Sequence, residues 1–422
     1  MIVAKFGGTS VADAAAIRRL IEIIRSRLSA QPVVVVSALA TVTDSLLALA
    51  PLVESGNGPA VDAAILALVA RHAETARGLA GTEAAMERIR RDAEALCREL
   101  TRMLGRRLSP AGLDALAGRG ELWSSQLIAA AMSGAGLDAA WVDIRPIMIT
   151  DDRFTRASPQ VEVMESRARS TLVPLAASGK IAVTQGFVGS TADGRPTTLG
   201  RGGSDYTAAL LGAALEVERV EIWTDVNGLM TADPRIVPSA RTLAAASYEE
   251  AAELATFGAK ILHPATAQPL VKAGIPIVVL NSTRPDEAGT IIEPSAELER
   301  MGNSPIRSIS FKRGITVINV RAPRMLGAFG FLRTMFEVFE RHEGVVDVLA
   351  SSEVSVSLTV EDRSRLDAVV SELSELGEVR VEHGRAIVAV VGVGLKHTPG
   401  VAARLFQAVQ PDNVEVISQG AS

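Results

Sequence analysis

The stretch Thr197–Thr207 brings several kinds of chemistry together in a short length of chain. Arg201 offers a planar donor that suits a carboxylate or a phosphate. Asp205 can orient a cation or a lysine, and Ser204 before an apolar run predicts a helix N-terminus, which favours an anion. Glycines, which leave backbone N–H groups open to a ligand, stand at Gly200, Gly202 and Gly203. The stretch predicts an anion site, and a glycine-rich turn with a surface arginine is the alternative.

A second candidate site follows the first predicted strand, Ile2–Phe6. Gly7 and Gly8 form a turn whose backbone N–H groups can hold phosphates, and Lys5 can reach across to neutralise them. Neither the Walker-loop spacing nor the dinucleotide-binding glycine pattern is present. A tight turn beside a solvated lysine is the other explanation, so this motif needs support from elsewhere in the chain.

Polar residues near helix starts supply further candidates. Glu121 follows Gly118–Gly120, where a carboxylate is explained by the helix dipole and is also well placed to bind an ammonium group. Thr43 comes after the strand Val33–Val36, and we favour it as the N-cap of a helix beginning near Ser45 over a role as a ligand. Histidine, cysteine and carboxylate residues show no metal-ligand spacing, so the sequence predicts no metal held by protein side chains alone.

Composition narrows the class of protein. The chain has 422 residues, which favours two or three domains. Its 43 basic and 48 acidic residues give a net charge of −5 without a long basic run, so we expect no nucleic-acid partner. The single cysteine, Cys97, fits a reducing compartment, and no apolar run is long enough to span a bilayer. We therefore expect a cytoplasmic protein with no membrane partner.

Strand and helix patterns alternate around the candidate residues. The unbroken β-branched run Val33–Val36 is typical of parallel strands that are buried on both faces. Further strands are predicted at Ile181–Phe187 and from Val220 to Thr224, with helices between them. The candidate residues follow the ends of these strands, where open α/β sheets bind ligands. The pattern predicts an α/β domain with its site at the carboxyl edge of the sheet.

Beyond about residue 295 the sequence repeats itself at an offset of about 70 residues. The offset pairs Val317 with Ile387 and Gly330 with Gly400. Each copy has the pattern strand, loop, glycine, helix, strand, which is too small to bury both of its faces without its twin. The first copy continues into a further strand and helix, whereas the second stops at Ser422. We therefore expect the second domain of the pair to be incomplete.

Taken in order along the chain, these motifs resemble those of the aspartokinases. The matching segments are Lys5–Ser10, Gly118–Glu121, Thr197–Thr207, Thr224–Val226, Asp233–Arg235 and Phe257–Lys260. The resemblance implies an α/β amino-acid-kinase fold, three-layered with a mostly parallel central sheet, over residues 1–295. It also implies a regulatory region, 307–422, with two ferredoxin-like ACT domains. The first spans about 315–380, and the second, incomplete at its C-terminus, combines 307–314 with 383–422.

The resemblance implies a reaction as well. The γ-phosphoryl group of ATP passes to the β-carboxylate of L-aspartate, giving 4-phospho-L-aspartate on the pathway to lysine, threonine and methionine. No general base is required, because a carboxylate is already ionised at neutral pH. The implied catalytic residues are Lys5, Gly7, Gly8 and Asp205; the implied aspartate contacts are Thr43, Glu121, Arg201 and Ser204; and the implied ATP contacts are Lys5, Ser10, Thr224, Asp225, Arg235 and Lys260. Mg²⁺ would be held mainly through the nucleotide phosphates.

Within the family, the regulatory region resembles that of the lysine-sensitive monofunctional enzymes. The residues that the resemblance implies as an effector site are Met325, Gly330, Phe331, Asp347, Ser352 and Glu353. Gly330 opens a predicted helix whose N–H groups can take a carboxylate, and Asp347 can pair with a side-chain ammonium group. We therefore expect lysine, rather than threonine, as the inhibitor. The implied assembly is a homodimer through the ACT domains.

Three positions depart from the usual family pattern. Thr41 stands where glycine is usual, Asn227 where aspartate is usual and Met230 where tyrosine is usual. The last two concern the adenine side of the nucleotide site. Two other functions stay open at this point: a related kinase acting on glutamate, acetylglutamate or a nucleotide, and a catalytically weak ACT sensor of amino acids. The intact Lys5 and Arg201 argue against the sensor.

Overall fold

The computed structural model describes residues 1–257, 264–294, 305–325, 329–392, 394–395, 398–410 and 412–419. These residues form two compact units. The first contains Met1–Pro234, Ser239–Thr256 and the described residues between 264 and 294. The second contains Arg235–Pro238, Phe257 and the described residues from 305 onward. The domain limits given above, including the two ACT ranges, stay predictions.

The first unit is built on a large central sheet and a small side sheet. Its strands are β1 (Ile2–Phe6), β2 (Pro32–Val36), β3 (Ala139–Val142), β4 (Ile149–Thr150), β5 (Ile181–Gln185), β6 (Val188–Thr191), β7 (Pro196–Thr198), β8 (Arg219–Thr224), β9 (Ala245–Ser247), β10 (Ile277–Asn281) and β11 (Thr290–Glu293). The large sheet has the order β3-β5-β2-β1-β8-β10-β11-β9, and the small one has the order β4-β6-β7. Neighbours in the large sheet are parallel except for β10 and β11. The predicted mostly parallel sheet is confirmed.

Helices cover the large sheet. They are α1 (Ala14–Arg25), α2 (Val42–Leu47), α3 (Leu49–Glu54), α4 (Gly58–Ala76), α5 (Glu83–Thr101), α6 (Pro110–Ala117), α7 (Arg119–Gly134), α8 (Val161–Ala177), α9 (Gly203–Ala214), α10 (Tyr248–Thr256) and α11 (Pro264–Ala273). Phe6 and Val36 point into a core shared with α1, α4, α5 and α7. Because side chains alternate along a strand, the residues next to Phe6 in β1 and next to Val36 in β2 face the opposite layer, which contains α8 and α9. Both β1 and β2 are buried throughout, which explains their apolar composition.

The second unit has an antiparallel sheet. Its strands are β12 (Ser308–Arg321), β13 (Leu349–Ser351), β14 (Ser355–Val360) and β15 (Glu378–Val391), in the order β13-β14-β12-β15. Helices α12 (Phe331–Arg341) and α13 (Leu366–Leu373) pack on the sheet through apolar residues, and α14 (Val401–Ala408) follows Gly400. The chain order β-α-β-β-α-β is the ferredoxin-like order predicted for an ACT domain. None of the helices in the described ranges of either unit is long and apolar enough to span a membrane.

The second copy of the repeat agrees with its prediction over the described residues. Gly400 precedes α14 as Gly330 precedes α12. At the offset of 70 residues, the strand β13 of the first copy corresponds to positions 419–421, and 420 and 421 lie outside the described residues. The strand predicted after α14 therefore stays a prediction.

Two helix starts also differ from the predictions. Helix α9 begins at Gly203 after Gly202, whose φ of 73° is left-handed, so Ser204 lies inside the first turn and is not the N-cap. Helix α2 begins at Val42, so Thr43 also lies inside a first turn, and its predicted capping role is wrong. In both cases a left-handed residue, rather than a side-chain oxygen, opens the helix.

The left-handed residue in front of α2 is Thr41, whose φ is 68°. This conformation costs a β-branched residue about 1 to 2 kcal/mol. Glycine removes this cost, but it also gives the unfolded chain more conformational entropy, which offsets part of the gain. We therefore expect Thr41→Gly to raise the free energy of unfolding by about 1 kcal/mol, measured by urea denaturation. Thr101→Gly is the control, because Thr101 is an exposed threonine at the end of α5 with a negative φ, and there the change should be destabilising. Destabilisation of both variants would contradict the assignment of strain.

Candidate active site

One pocket in the first unit, with a volume of about 680 Å³, gathers the residues predicted for aspartate binding and phosphoryl transfer. The predicted residues that line it are Lys5, Thr43, Glu121, Arg201, Ser204 and Asp205. They come from β1, α2, α7 and the turn into α9. Four separate sequence motifs thus meet at one place, although the role of each residue stays a prediction.

Lys5 lines this pocket as a buried cation. The residue is 8% exposed, and its Nζ lies 2.7 Å from Oδ1 of Asp205 in the first turn of α9. The ion pair restricts the ammonium group to one position. Gly7 and Gly8 lie beside it, and a Cβ at Gly8 would stand 3.2 Å from the carbonyl oxygen of Ala38. A side chain at Gly8 would therefore fit tightly against the backbone where the chain leaves β1.

Arg201 is exposed to the pocket at the tip of a turn that only glycine can form. Gly200 and Gly202 flank it with φ values of 76° and 73°, which L side chains rarely adopt. A Cβ at Gly203 would stand 2.7 Å from the ring of Phe187. Arg201 therefore lies in a turn whose conformation requires glycine on both sides, and this turn places its guanidinium group at the pocket.

Glu121 is a buried carboxyl in the first turn of α7, with 4% of the residue exposed. Burial raises its pKa to about 8, although hydrogen bonds from its own backbone, from Ala38 and from the Thr43 hydroxyl oppose the shift. Its Oε2 has no hydrogen-bond partner within the described part of the chain. A pocket carboxylate with one oxygen uncommitted suits an ammonium group. Thr43 therefore holds Glu121 instead of capping α2.

The raised pKa of Glu121 predicts a pH dependence. An ammonium group pairs with the carboxylate and not with the carboxylic acid, so we expect kcat/KM for aspartate to fall about tenfold per pH unit below pH 8. Glu121→Gln should lower kcat/KM and make it nearly independent of pH over the same range. Initial rates at limiting aspartate, measured from pH 6 to pH 9, provide the check. An equal slope in the wild type and the variant would rule out Glu121 as the titrating group.

The same residue supplies a control that does not depend on activity. An exposed glutamate has a pKa of 4.5, whereas the pKa of Glu121 in the folded protein is about 8. The folded protein therefore holds the proton more tightly, and Glu121 makes folding less favourable as pH rises from 4.5 to 8. Glu121→Gln should raise Tm more at pH 8 than at pH 5.

Lys5 is the predicted nucleotide residue that lines this pocket, whereas Ser10 lies elsewhere in the first unit. Ser10 is buried, and its hydroxyl donates to the carbonyl oxygen of Trp223 at 3.1 Å and lies 2.8 Å from Oγ of Ser282. Ser282 in turn donates to the carbonyl oxygen of Thr224 at 3.1 Å. Ser10 therefore joins the glycine turn to the ends of β8 and β10. This link was not predicted, because Ser282 belongs to no motif.

Further residues that are predicted to contact the nucleotide lie at the end of β8 and after it. Asp225 is exposed and lies beside Thr224. Asn227, one of the departures from the family pattern, accepts a hydrogen bond from Asn281 at the end of β10. Arg235 is exposed in a turn that belongs to the second unit, and Lys260 lies outside the described residues. Ser10, Thr224 and Asp225 do not line the 680 Å³ pocket.

Among the pocket residues to which the sequence analysis gave no individual role are Asp114, Thr155 and Thr198. Asp114 is a buried carboxylate in α6, and it accepts hydrogen bonds from both threonines. The sequence signal that could have indicated Asp114 is that it is the one acidic residue in the otherwise apolar helix α6. Among the described residues, no group of three or more histidines, cysteines or carboxylates has the arrangement of a metal site.

The predicted effector residues lie in the second unit. Gly330 precedes α12 with a φ of 81°, and Phe331 is the first residue of that helix. Met325 ends a short 3-10 helix, while Ser352 and Glu353 are exposed between β13 and β14. Their common role in binding an effector stays a prediction.

Asp347, the sixth predicted effector residue, has a partner that the sequence did not predict. Its Oδ1 lies 3.1 Å from Nζ of Lys312 on β12, and Lys312 also lies 2.8 Å from Oε2 of Glu361. Oδ2 of Asp347 is buried and lacks a hydrogen-bond partner among the residues that the structure describes. The carboxylate therefore already pairs with one ammonium group and has one uncommitted oxygen.

Comparison with known proteins agrees with the motifs. A family model described as the amino acid kinase family matches residues 1–281, and a model described as an ACT domain matches residues 388–422. The chain is 39% identical over 431 residues to lysine-sensitive aspartokinase 3 of Escherichia coli, covering 100% of this chain and 94% of that protein.

Two crystal structures of E. coli aspartokinase III match this fold. One is in complex with aspartate and ADP and the other with lysine and aspartate. Each has a TM-score of 0.84 and 38% identity, and each match covers 100% of this chain and 94% of the E. coli chain. The chain therefore belongs to the amino acid kinase family and, within it, to the aspartokinases.

Proposed function

We propose that the protein transfers the γ-phosphoryl group of ATP to the β-carboxylate of L-aspartate. The observation that carries the proposal is the set of charges in one pocket: exposed Arg201, buried Glu121 with an uncommitted oxygen, and Lys5 paired with Asp205. An α-amino acid carries a carboxylate and an ammonium group on one carbon, and Arg201 and Glu121 are complementary to that pair. The E. coli relative crystallised with aspartate and ADP supports this substrate.

In this proposal the amino-acid end of aspartate is held at two points. Arg201 binds the α-carboxylate through two parallel hydrogen bonds, and Glu121 binds the α-ammonium group. Thr43 and Ser204 add hydroxyl contacts. With the amino-acid end held, the β-carboxylate is free to face Lys5, so binding energy is used to orient the reacting oxygen.

The chemical step needs no proton transfer. An oxygen of the ionised β-carboxylate attacks the γ-phosphorus, an O–P bond forms, the bond from phosphorus to the bridging oxygen breaks, and ADP leaves. Lys5 stabilises the negative charge on the transferring group, and Asp205 holds Lys5 in position. Gly7 and Gly8 leave space for the phosphoryl group.

ATP contacts are proposed for Lys5, Ser10, Thr224, Asp225, Arg235 and Lys260. Mg²⁺ would be held mainly through the nucleotide phosphates and would neutralise part of their charge. The pocket fits this mode of metal binding, because Asp205 is paired with Lys5 and Glu121 is held by Ala38 and Thr43. The cytoplasmic location remains a prediction from cysteine usage.

Release of ADP in a coupled assay tests the reaction. We expect release that depends on aspartate and is at least about tenfold slower with glutamate, whose extra methylene moves the carboxylate away from Lys5. Equal rates with both substrates would favour a broader amino-acid kinase. Release with neither substrate would contradict the proposed function, provided that ATP and Mg²⁺ are present in excess.

We also propose lysine as the inhibitor and a homodimer through the ACT domains as the assembly. The E. coli relative crystallised with lysine supports the effector, and the uncommitted oxygen of Asp347 supports its place. Lysine should inhibit, threonine should not, and Asp347→Ala should weaken inhibition at least about tenfold, because the side-chain ammonium of lysine loses its partner. Titration of each amino acid into the kinase assay measures this.

Glu361→Ala is the matched control for Asp347→Ala. Both changes remove a carboxylate that contacts Lys312, but only Asp347→Ala removes the proposed effector contact. Lysine inhibition should survive the control variant. Inhibition by threonine alone, or lysine inhibition unchanged in Asp347→Ala, would refute the proposal.

A further inference from the structure

Asp114 uses both of its carboxylate oxygens to hold backbone near the pocket. Oδ2 accepts the N–H of Thr155 at 2.8 Å and the N–H of Thr198 at 3.0 Å, and Oδ1 accepts the Thr198 hydroxyl at 2.7 Å. The residue is 2% exposed. Burial raises the pKa of Asp114, and these hydrogen bonds oppose the shift. With both oxygens occupied, Asp114 is not placed to bind a ligand itself.

The two segments that Asp114 holds support the turn carrying Arg201. Thr198 ends β7 and is followed by Leu199 and Gly200, directly before Arg201. Thr155 packs against the same turn, since a Cβ at Gly200 would stand 3.3 Å from its carbonyl oxygen. Thr155 also has a φ of 72°, a costly conformation for a β-branched residue, so something must hold it. The hydrogen bond from its own N–H to Asp114 does so.

Asp114 is also joined rigidly to Glu121. Helix α6 ends at Ala117, and the N–H of the next residue, Gly118, donates to the carbonyl oxygen of Asp114 at 3.0 Å. Helix α7, which carries Glu121, begins directly after Gly118. A Cβ at Gly118 would stand 2.8 Å from Cγ1 of Val188, so the corner between the helices has no room for another residue type. One corner of the chain therefore carries Glu121 and anchors the Arg201 turn.

We propose that Asp114 is a positioning residue for the amino-acid substrate, setting the distance between Arg201 and Glu121 and thus between the two groups that bind one α-carbon. This inference rests on the proposed function, because it needs Arg201 to bind the α-carboxylate. Asp114 acts through Arg201 and takes no part in the chemical step or in nucleotide binding.

The test is a double-mutant cycle on KM. Asp114→Asn, which replaces the charged acceptor of both N–H groups by a neutral amide oxygen and turns an amide donor toward the Thr198 hydroxyl, should raise the aspartate KM about tenfold or more and leave the ATP KM within about twofold. In an Arg201→Ala background, the same change should alter the aspartate KM by less than about twofold, because the group that it positions is gone. A residue that only stabilises the fold would act equally in both backgrounds.

Milder variants keep the test usable if Asp114→Asn does not fold. Thr198→Val removes only the hydroxyl donor to Asp114 and should raise the aspartate KM about threefold or more, whereas Thr198→Ser should restore it. Thr197→Val is the matched control, because its buried hydroxyl lies 2.8 Å from that of Thr150 and does not contact Asp114. It should leave the aspartate KM within about twofold of the wild type.

The outcomes separate the two proposals. If Arg201→Ala does not raise the aspartate KM, the proposed substrate contact is wrong, and the role of Asp114 falls with it. If Arg201→Ala raises the aspartate KM but Asp114→Asn adds the same factor in both backgrounds, or raises the ATP KM equally, only the positioning role is overturned.

Discussion

Replacing Lys5 with alanine should lower kcat by about 100-fold while changing either KM only modestly. The ammonium group is buried and restrained by Asp205, and in the proposed mechanism it stabilises charge that develops in the transition state. A group that acts mainly in the transition state affects kcat more than substrate binding. Steady-state kinetics with ATP and aspartate varied separately would measure the effect.

Lys180→Ala is the control for this variant. Lys180 is exposed just before β5 and should be replaceable without loss of rate. A Lys5→Ala variant that keeps more than about a tenth of the wild-type rate has lost less than about 1.4 kcal/mol of transition-state stabilisation. Lys5 would then not be the group that stabilises the transferring phosphoryl.

Replacing Arg201 with alanine should weaken aspartate binding far more than ATP binding. The lost contact is a charge-assisted pair of hydrogen bonds, which we expect to cost about 2 to 4 kcal/mol and to raise the aspartate KM about 30- to 800-fold. The ATP KM should stay within about twofold, because the proposed contact is to the α-carboxylate alone.

Arg195→Ala provides the comparison for Arg201→Ala. Arg195 is an exposed arginine that pairs with Asp193 and does not line the pocket. It should leave both KM values unchanged. A raised ATP KM with an unchanged aspartate KM in Arg201→Ala would place this guanidinium on the nucleotide.

Sequence patterns predicted the centre of the fold because strands that are buried on both faces consist mainly of apolar residues. The strands β1 and β2 are buried at every residue, and their apolar runs were recognisable without partners. The pocket residues Lys5, Arg201 and Asp205 were found for a different reason, since each is a charged side chain close to glycine in a motif that resembles a known family.

What could not be predicted depends on groups that the sequence does not display. Asp114 binds two backbone N–H groups, and every residue has one except proline, so its partners leave no mark on composition. The starts of α2 and α9 were misplaced because the left-handed residues Thr41 and Gly202 open them.

The central place of β1 has a consequence for synthesis of the protein. This strand pairs with β2 on one side and with β8 on the other, and β8 comprises residues 219–224. The ribosome therefore completes β1 long before its second neighbour exists, and the nascent chain carries one unpaired edge of an apolar strand. Unpaired edges recruit other chains, and a lysine within them is a common protection. The strand β1 contains one such residue, Lys5.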